Sequence, residues 1–460
     1  MFTSTWRSIL LVAGETVALV AAVAISSLII GRERAWELLV DDTALLRVLL
    51  IVVTCQVCLH YADLYDLRSI NTTRELVTRL MRAIGTTSLI LGIAYWLFPL
   101  LVVEQGVFLL TTAVAAVLLI AWRSTFKVIS ERITPRERLL LVGTSPAAIV
   151  LARELFERRH ELGVEIVGFV DTDASRVGAP VINPGVVGTL DDIPALTARL
   201  GVSRVVVSLS DQRGKLPMDR LLDVRLRSGV LFDHLASVYE EYTGKIAVEN
   251  LRPSWFIFSD GFRKSAWTLT LKRVMDVCLA GVGIVVGAPV MLMTGAVIWL
   301  TSDGPVLFHQ RRVGLHGKSI TVHKFRSMRV DAEASTGAVW SQKDDPRITG
   351  VGGFLRRSRL DELPQLWNVM RGDMSFVGPR PERPEFVEQL TQEIPFYGQR
   401  HVVRPGLTGW AQVRYTYGAN VEDAMMKLQY DLFYIKNHSI ALDLYIIFST
   451  IKTVLLRRGA

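Results

Sequence analysis

Cysteine is scarce in this chain, with 3 residues among 460. Cys55, Cys58 and Cys278 all lie in apolar stretches. The spacing of Cys55 and Cys58 is that of half a metal site, but neither a second pair nor a nearby cluster of His or Asp accompanies it. The sequence therefore excludes a disulfide framework, and we interpret the three cysteines as small packing residues of apolar helices.

A nucleic-acid-binding signature is also missing, although the chain is basic. Lys and Arg number 52 against 44 Asp and Glu, a formal charge of +8. Such an excess suits anionic partners such as lipid head groups, phosphorylated substrates or nucleic acid. Because no DNA- or RNA-binding motif accompanies the charge, we expect no nucleic-acid partner. We also expect no cleavable signal peptide, because the first apolar run is too long and has no small-residue cleavage motif.

Long hydrophobic runs, in contrast, are plentiful. Half of the residues are hydrophobic, and the mean hydropathy is +0.32. Four runs near the N-terminus approach the about 20 residues that cross a bilayer. We therefore predict a four-helix transmembrane region over residues 1–125. The four runs cover residues 9–30, 45–62, 84–103 and 107–122.

The basic residues around these runs predict their orientation. The loop between runs two and three and the segment after run four are rich in arginine, whereas the loop between runs three and four has no basic residue. Basic loops remain in the cytoplasm. We therefore place both basic segments and the N-terminus inside, although Arg32 and Arg34 in the first loop weaken the asymmetry.

Residues 136–250 have a different texture, with strands and helices in alternation. A buried strand ends at Gly143, a helical stretch follows, and residues 164–171 form the next strand. This alternation predicts a small Rossmann-like α/β domain. The turn after Gly143 does not match G-x-G-x-x-G, so we favour a structural or regulatory module over one that binds NAD. Asp171 either contacts a ribose or ends its strand in a turn.

A fifth apolar segment, residues 274–300, follows a linker over residues 252–265. Asp276 lies near its start, Pro289 lies in its middle, and basic residues flank both ends. Positive charge on both sides and a proline at the midpoint predict a re-entrant membrane helix that returns to the same face. A kinked fifth span is the alternative, and it would place the chain from Asp303 onward in the periplasm.

Residues 309–412 carry the candidate chemistry. Arginines stand beside glycines and prolines there, which favours rigid loops that present guanidinium groups to phosphate. Transfer of a phosphoryl group depends mainly on such positioning and charge neutralisation. The candidate phosphate-binding residues are Lys324, Arg326, Arg347, Pro379, Arg380 and Arg404.

Asp361 and Glu362 are the candidate catalytic pair, with two interpretations. Ser358 and Asp361 have the spacing of a helix capping box, in which Pro364 is tolerated in the first turn. A helix N-terminus is also a natural phosphate site. An aspartate there is able to attack phosphorus, while an adjacent carboxylate binds Mg²⁺ or handles a proton.

At these residues the chain resembles the bacterial sugar transferase family, the monotopic phosphoglycosyl transferases. The motifs are long and specific, and the resemblance covers residues 272–452. The N-terminal spans and the Rossmann-like module look like the large members that start exopolysaccharide assembly. The motifs are Lys324-Phe-Arg-Ser-Met, Leu360-Asp-Glu-Leu-Pro-Gln-Leu, Gly372-Asp-Met-Ser-Phe-Val-Gly-Pro-Arg-Pro381 and Arg404-Pro-Gly-Leu-Thr-Gly-Trp410.

The resemblance implies a membrane α plus α/β fold. It has four transmembrane helices, a Rossmann-like cytoplasmic domain, and an α/β catalytic domain over residues 266–460 anchored by the re-entrant helix. The family's helix break often has Ser-Pro, whereas this chain has Ala288-Pro289. The bend therefore depends on Pro289 alone.

The resemblance also implies a two-step reaction. Asp361 would attack the β-phosphate of a UDP-sugar and release UMP, and undecaprenyl phosphate would then take the phosphosugar. Glu362 would assist through Mg²⁺, bound with Asp361, or through proton handling, and Arg380 would hold phosphate. The expected location is the bacterial inner membrane with the catalytic domain in the cytoplasm. A homodimer is left open.

Two other functions compete with this one. A membrane-bound NAD-dependent enzyme that modifies nucleotide sugars would need a Tyr-x-x-x-Lys pair, and Tyr430 and Lys436 have the wrong spacing. A non-catalytic regulator of polysaccharide export would leave the arginine- and carboxylate-rich stretch unexplained.

Overall fold

The computed structural model of this protein describes residues 5–31, 43–62, 64–65, 73–103, 105–133, 137–157, 159–208, 218–248, 256, 259, 261–330, 332, 345–415 and 420–455. The chain divides into two compact units, Met1–Val238 and Tyr239–Ala460. Most of the linker at 252–265 lies outside the described residues.

The apolar runs near the N-terminus are helical. Each of these helices contains a stretch long and apolar enough to cross about 30 Å of hydrocarbon. A fifth helix with this property lies in the second unit, and the set fits a membrane protein. The helices are α1 (Thr5–Gly31), α2 (Ala44–Tyr61), α3 (Thr73–Leu97) and α4 (Gln105–Ile133).

The third helix differs from its predicted span of 84–103. It begins about three turns earlier and ends before a short 3-10 turn. Arg74, Arg79 and Arg82, which we assigned to a loop, therefore lie in α3. Arg79 pairs with Glu75 one turn earlier, at 2.5 Å, and such pairs stabilise a helix end that hydropathy alone misses.

A buried ion pair joins α1 to α4. The Arg123 guanidinium lies 2.5 Å from the Glu15 carboxylate, and both side chains are almost fully buried. The Tyr65 hydroxyl donates a hydrogen bond to the same carboxylate at 2.5 Å. Charges inside an apolar bundle are tolerated when they are paired in this way. Composition gave no reason to single out this pair.

The rest of the first unit is a doubly wound α/β domain, as predicted. Its sheet has five parallel strands in the order β3-β2-β1-β4-β5. Leu139 to Val142 of the first strand have no exposed side chain, as expected for a parallel sheet covered on both faces. The strands are β1 (Glu137–Val142), β2 (Val164–Asp171), β3 (Val186–Thr189), β4 (Arg204–Val207) and β5 (Leu231–His234), and the helices are α5 (Pro146–Glu157), α6 (Arg159–Leu162), α7 (Ile193–Leu200) and α8 (Met218–Ser228). The next helix, α9 (Leu235–Thr243), contains the boundary between the two units.

Asp171 ends its strand in a turn. Its carboxylate accepts hydrogen bonds from the Thr144 hydroxyl at 2.5 Å and from the Asp173 backbone N–H at 3.2 Å. Arg176 also donates to it at 3.0 Å. The carboxylate is thus engaged by its own chain, which is the second of the two roles expected for it.

The second unit begins before the predicted boundary at residue 266. Ile246 and Val248 lie in its main hydrophobic core. The Trp410 indole donates to the Gly244 carbonyl at 2.9 Å. The segment from Tyr239 therefore packs as part of the second unit.

Its long helix, α10 (Ala266–Thr301), contains Pro289 in its interior. A re-entrant helix bent at Pro289 was predicted over 274–300, whereas the structure has one continuous helix of 36 residues. A proline removes only one backbone hydrogen bond, so a helix is able to continue through it. The structure thus shows no break, and the return to the same membrane face stays a prediction.

Both ends of α10 contact the second unit. Lys272 donates to the Asp443 carboxylate at 2.7 Å. Asp276 is buried, and it accepts from the Phe376 backbone N–H at 3.0 Å. More than twenty residues later, Ile298 is 2% exposed in a second apolar cluster with Phe325 and Leu355. The helix is therefore attached near both ends, while its outer face is apolar and exposed at Val282, Val285, Val286, Leu292 and Met293.

Two small sheets and several short helices complete the second unit. A hairpin is antiparallel, and the second sheet pairs two short strands in parallel. The second strand of the hairpin spans Ser319–Phe325, so Lys324 lies inside it. The elements are β6 (Leu307–Val313), β7 (Ser319–Phe325), α11 (Gly350–Ser358), α12 (Gln365–Arg371), β8 (Ser375–Val377), α13 (Pro384–Glu393), β9 (Gly406–Thr408), α14 (Trp410–Arg414), α15 (Val421–Asn437) and α16 (Ile440–Leu455).

Candidate active site

Asp361 and Glu362 lie in a tight turn between α11 and α12. Arg359 ends α11 in the left-handed conformation, with φ 59° and ψ 14°. Residues Leu360–Glu362 then form one 3-10 turn, and Pro364 precedes α12. A non-glycine residue in this conformation is strained, and such strain concentrates at functional sites. The turn brings both carboxylates into the interior.

The capping box predicted for Ser358 is wrong. Ser358 is the last residue of α11, and its hydroxyl donates back to the Phe354 carbonyl at 2.8 Å. Its side chain is thus used by the helix that ends there. The local pattern was misleading because the left-handed Arg359 separates Ser358 from the turn of Asp361.

Glu362 is surrounded by three cations. Its Oε1 atom lies 2.8 Å from Arg380, 3.2 Å from Lys324 and 3.7 Å from Arg359. Burial would raise the pKa of Glu362, but these cations outweigh it and hold the pKa far below the usual range. Glu362 is therefore a permanent anion that fixes the three cations in place.

Asp361 has the opposite environment. It is 8% exposed, and its Oδ1 atom is buried without a hydrogen-bond partner. Burial, followed by the negative charge of Glu362, raises the pKa of Asp361 above its usual value. A buried carboxylate oxygen with no donor is costly. It is the natural contact point for an electrophile or a cation.

Lys324 and Arg380 reach Glu362 from different elements. Lys324 projects from β7, and burial lowers its pKa from the usual lysine value. Arg380 follows β8, and its backbone carbonyl accepts a hydrogen bond from the buried Arg400 at 3.1 Å. Arg400 is itself held by Asp431 at 2.7 Å. The backbone under Arg380 is thereby fixed from the core.

Glycines make the loop around Pro379 compact. The Gly378 N–H donates to the Thr408 carbonyl, and the Gly406 N–H donates to the Pro379 carbonyl, both at 2.9 Å. A side chain on Gly406 would place its Cβ 2.1 Å from the Gly378 nitrogen. Only glycine permits this approach, and the approach positions Pro379 and Arg380.

Three other predicted phosphate-binding residues contact different groups. Arg326 donates to the Ser302 carbonyl at 2.7 Å, after α10. The Arg347 guanidinium forms a fork on Asp345, with bonds of 2.8 and 2.6 Å. Arg404 donates to the Gly372 carbonyl at 3.0 Å. The structure thus brings Lys324, Arg380, Asp361 and Glu362 together and gives these three arginines other partners.

Two cations of the site were not selected from the sequence. Arg359 lies in an arginine-rich run, 356–359, in which the sequence does not distinguish one arginine from another. Arg312 is in β6, and its guanidinium donates to the Pro381 carbonyl at 3.1 Å. Burial, together with repulsion by the positive charge of Arg380, lowers the pKa of Arg312 to about 10. The position of Arg312 near the end of a strand, two residues before Gly314, was the available signal.

Asp361 and Glu362 differ in how well their carboxylates could bind a divalent cation. Mg²⁺ usually binds through one or two carboxylates plus substrate phosphates and water. Among the described residues no group of three or more His, Cys, Asp or Glu is arranged to hold a metal. The unpartnered Oδ1 of Asp361 fits one ligand of such an ion, whereas Oε1 of Glu362 is already engaged by cations.

Comparison with family models places two matches on the chain. Residues 267–457 match the model for bacterial sugar transferases. Residues 60–217 match a model described as a CoA-binding domain.

Curated relatives carry related names. A UDP-glucose:undecaprenyl-phosphate glucose-1-phosphate transferase of Xanthomonas campestris pv. campestris is 34% identical over 339 residues, which are 70% of this chain and 68% of the relative. One of the same name from Klebsiella pneumoniae is 33% identical over 69% of this chain and 67% of the relative. A UDP-N-acetylgalactosamine-undecaprenyl-phosphate N-acetylgalactosaminephosphotransferase of Aeromonas hydrophila is 43% identical over 49% of this chain, and the match spans 53% of that relative.

Proposed function

The chain belongs to the bacterial sugar transferase family, and from this premise we propose that it transfers a sugar-1-phosphate from a UDP-sugar to undecaprenyl phosphate. The observation that carries the proposal is the buried, unpartnered Oδ1 of Asp361 beside a carboxylate held by three cations. Such a site combines a nucleophile with groups that neutralise phosphate charge.

In the first step, Asp361 Oδ1 attacks the β-phosphorus of the UDP-sugar. A carboxylate–phosphorus bond forms, the bond between that phosphorus and the bridging oxygen breaks, and UMP leaves with the electron pair. Lys324 and Arg380 neutralise the phosphate charge that develops. Glu362 keeps both cations oriented, because each contacts its Oε1 atom.

In the second step, an anionic oxygen of undecaprenyl phosphate attacks the same phosphorus. The carboxylate of Asp361 leaves, and the product is a sugar linked to undecaprenyl diphosphate. The raised pKa of Asp361 helps the first step, because a more basic carboxylate is a better nucleophile. Mg²⁺, when held by the Asp361 carboxylate and the substrate phosphates, would supply further neutralisation of the diphosphate charge.

The reaction also suggests where the protein lies. The lipid acceptor is in the membrane and nucleotide sugars are cytoplasmic, so we place the catalytic unit at the cytoplasmic face of the inner membrane. The attachment of α10 near both ends supports a helix that enters and leaves by that face. The phosphate-binding roles of Arg326, Arg347 and Arg404, and a homodimer, stay predictions.

The test is UMP release from a panel of UDP-sugars. The purified full-length protein in lipid nanodiscs should release UMP from at least one of UDP-glucose, UDP-galactose and UDP-N-acetylgalactosamine when undecaprenyl phosphate is present. The radiolabelled sugar phosphate should move to the lipid. Without acceptor, a trapped phosphosugar should appear on the peptide that contains Asp361. If none of these donors yields UMP, the proposed function is wrong.

A further inference from the structure

An apolar groove of about 780 Å³ lies in the second unit, between α10 and the hairpin of β6 and β7. Its size is in the about 300–1,000 Å³ range of small-molecule sites. The helix contributes Met291, Ala296 and Trp299 to the lining. The opposite wall includes Leu307 of β6 and Trp367 of α12.

The lining is almost wholly apolar, and its two histidines form a hydrogen bond with each other. His309 and His323 face each other across the hairpin with their Nδ1 atoms 2.7 Å apart. At that distance one ring donates and the other accepts, so neither needs to be charged. A groove of this chemistry suits a hydrocarbon better than a phosphate or a sugar.

The groove is joined to the candidate active site along two stretches of chain. Leu363 and Pro364, which line it, directly follow Asp361 and Glu362. In β7, the lining residues His323 and Phe325 stand on either side of Lys324, which contacts Glu362. Because side chains alternate along a strand, one face of β7 lines the groove and the other carries Lys324 to the carboxylates.

We propose that this groove receives the isoprenoid tail of the lipid acceptor next to its phosphate. The proposal rests on the proposed function and adds a location for the acceptor. A phosphate bound among the charged groups at Asp361 lies outside the hydrocarbon layer of the membrane. The part of the tail next to that phosphate is therefore also drawn out of the hydrocarbon. The groove provides apolar contact for that segment, and its helical wall continues into the exposed apolar face of α10.

Two substitutions on the same helix separate the groove from general contact with lipid. Ala296→Trp places a ring in the groove. Val286→Trp is the matched control, because Val286 is 72% exposed and does not line the groove. Both full-length variants are compared with wild type in nanodiscs, and thermal unfolding verifies that they fold.

The measurement is the preference for undecaprenyl phosphate over geranyl phosphate, expressed as a ratio of kcat/KM. Ala296→Trp should lower this ratio about tenfold or more, because the indole occupies the space that the tail would fill. Val286→Trp should keep the wild-type preference. Equal effects of both variants, or none from Ala296→Trp, would overturn the proposal.

Cross-linking of the wild-type protein gives a second test, in which no substitution can disturb the fold. Undecaprenyl phosphate that carries a photoreactive group near its phosphate should label peptides containing 291–299, 306–309 or 363–367, and unlabelled undecaprenyl phosphate should compete. Labelling confined to Val282, Val285 and Val286 on the outer face, or equal competition by phosphatidylglycerol, would show ordinary bilayer contact and overturn the groove assignment. Absence of UMP release from every donor would instead overturn the proposed function, so the two failures are distinguishable.

Discussion

Neighbouring carboxylates at 361 and 362 differ in what their charge does to stability. Asp361 is ionised against burial and without a hydrogen bond to Oδ1, whereas Glu362 is stabilised by three cations. Asp361→Asn should therefore lower turnover by about a thousandfold or more while the melting temperature stays equal or rises. A purified Asp361→Asn protein with turnover within about tenfold of wild type would remove Asp361 as the nucleophile.

Glu362→Gln should have the opposite effect on stability. The amide leaves Lys324, Arg359 and Arg380 close together without an anion between them. We expect a loss of about 2 kcal/mol in the free energy of unfolding, together with severely reduced turnover. Chemical denaturation of both variants measures the contrast. An equal stability change in the two variants would contradict the assigned environments.

The pH dependence of UMP release follows from the raised pKa of Asp361. The carboxylate attacks only when ionised, so the single-turnover rate should rise with pH through a pKa above the ordinary aspartate value of about 3.9. Because the charge of Glu362 contributes to the rise, Glu362→Gln should move the acid limb of the residual rate to lower pH. An acid limb at or below the ordinary value in the wild type would show that another group controls the step.

The lowered pKa of Glu362 makes its contribution to the free energy of unfolding decrease at low pH. Its contribution is fully present above the unfolded-state pKa of about 4.3 and is lost as pH falls through the lower folded-state pKa. As the pH falls, Asp361 is therefore protonated at a higher pH than Glu362. Activity should be lost at that higher pH, before the stability that Glu362 contributes is lost.

At the scale of elements, the start of the catalytic unit can be tested by truncation. A chain that begins at Tyr239 keeps Ile246 and Val248 in the core and the 2.6 Å ion pair between Glu240 and Lys436. A chain that begins at Ala266 loses both, at about 1.5–3 kcal/mol for each buried aliphatic side chain. Both should contain the reacting groups, but the longer chain should unfold at a clearly higher temperature in detergent. Equal melting temperatures would show that the segment before 266 is not part of the unit.

The strands and their parallel pairing were predictable because their signals are local, whereas the order of the five strands was not predicted. The first strand contains a continuous apolar run, Leu139–Val142, and parallel pairing follows from the alternation of strands with helices. The start of α3 and the role of the Ser358 side chain were not predictable, because an ion pair in one case and a left-handed Arg359 in the other override the local pattern. Sequence motifs identified Asp361, Glu362, Lys324 and Arg380, but the roles of Arg312 and Arg359 depend on side chains brought together by the fold.

At the scale of the whole molecule, the direction in which α10 meets the membrane determines whether cytoplasmic nucleotide sugars reach the site. A straight helix of 36 residues would be about 54 Å long, far more than about 30 Å of hydrocarbon. Lys272 and Asp276 near one end and Ile298 near the other contact the same unit. A folded unit cannot lie on both sides of a bilayer, so both ends should lie on one side. Pro289 then lies in the exposed central part, where its missing N–H eases bending.

Single-cysteine labelling tests this topology in full. The native Cys55, Cys58 and Cys278 are first replaced, and Arg263→Cys and Lys318→Cys then introduce one thiol on either side of α10, at exposed positions. A membrane-impermeant maleimide should leave both sites unlabelled in intact cells and should label both once the membrane is opened, because the proposed topology places both basic flanks in the cytoplasm. Pro289→Leu in the Lys318→Cys background should increase labelling in intact cells, since a helix without the proline is stiffer and better able to span. Each thiol is checked by labelling in detergent, which separates a buried site from a protected one. If Lys318→Cys is labelled in intact cells while Arg263→Cys is not, α10 crosses the membrane, and the catalytic residues lie on the side without nucleotide sugars.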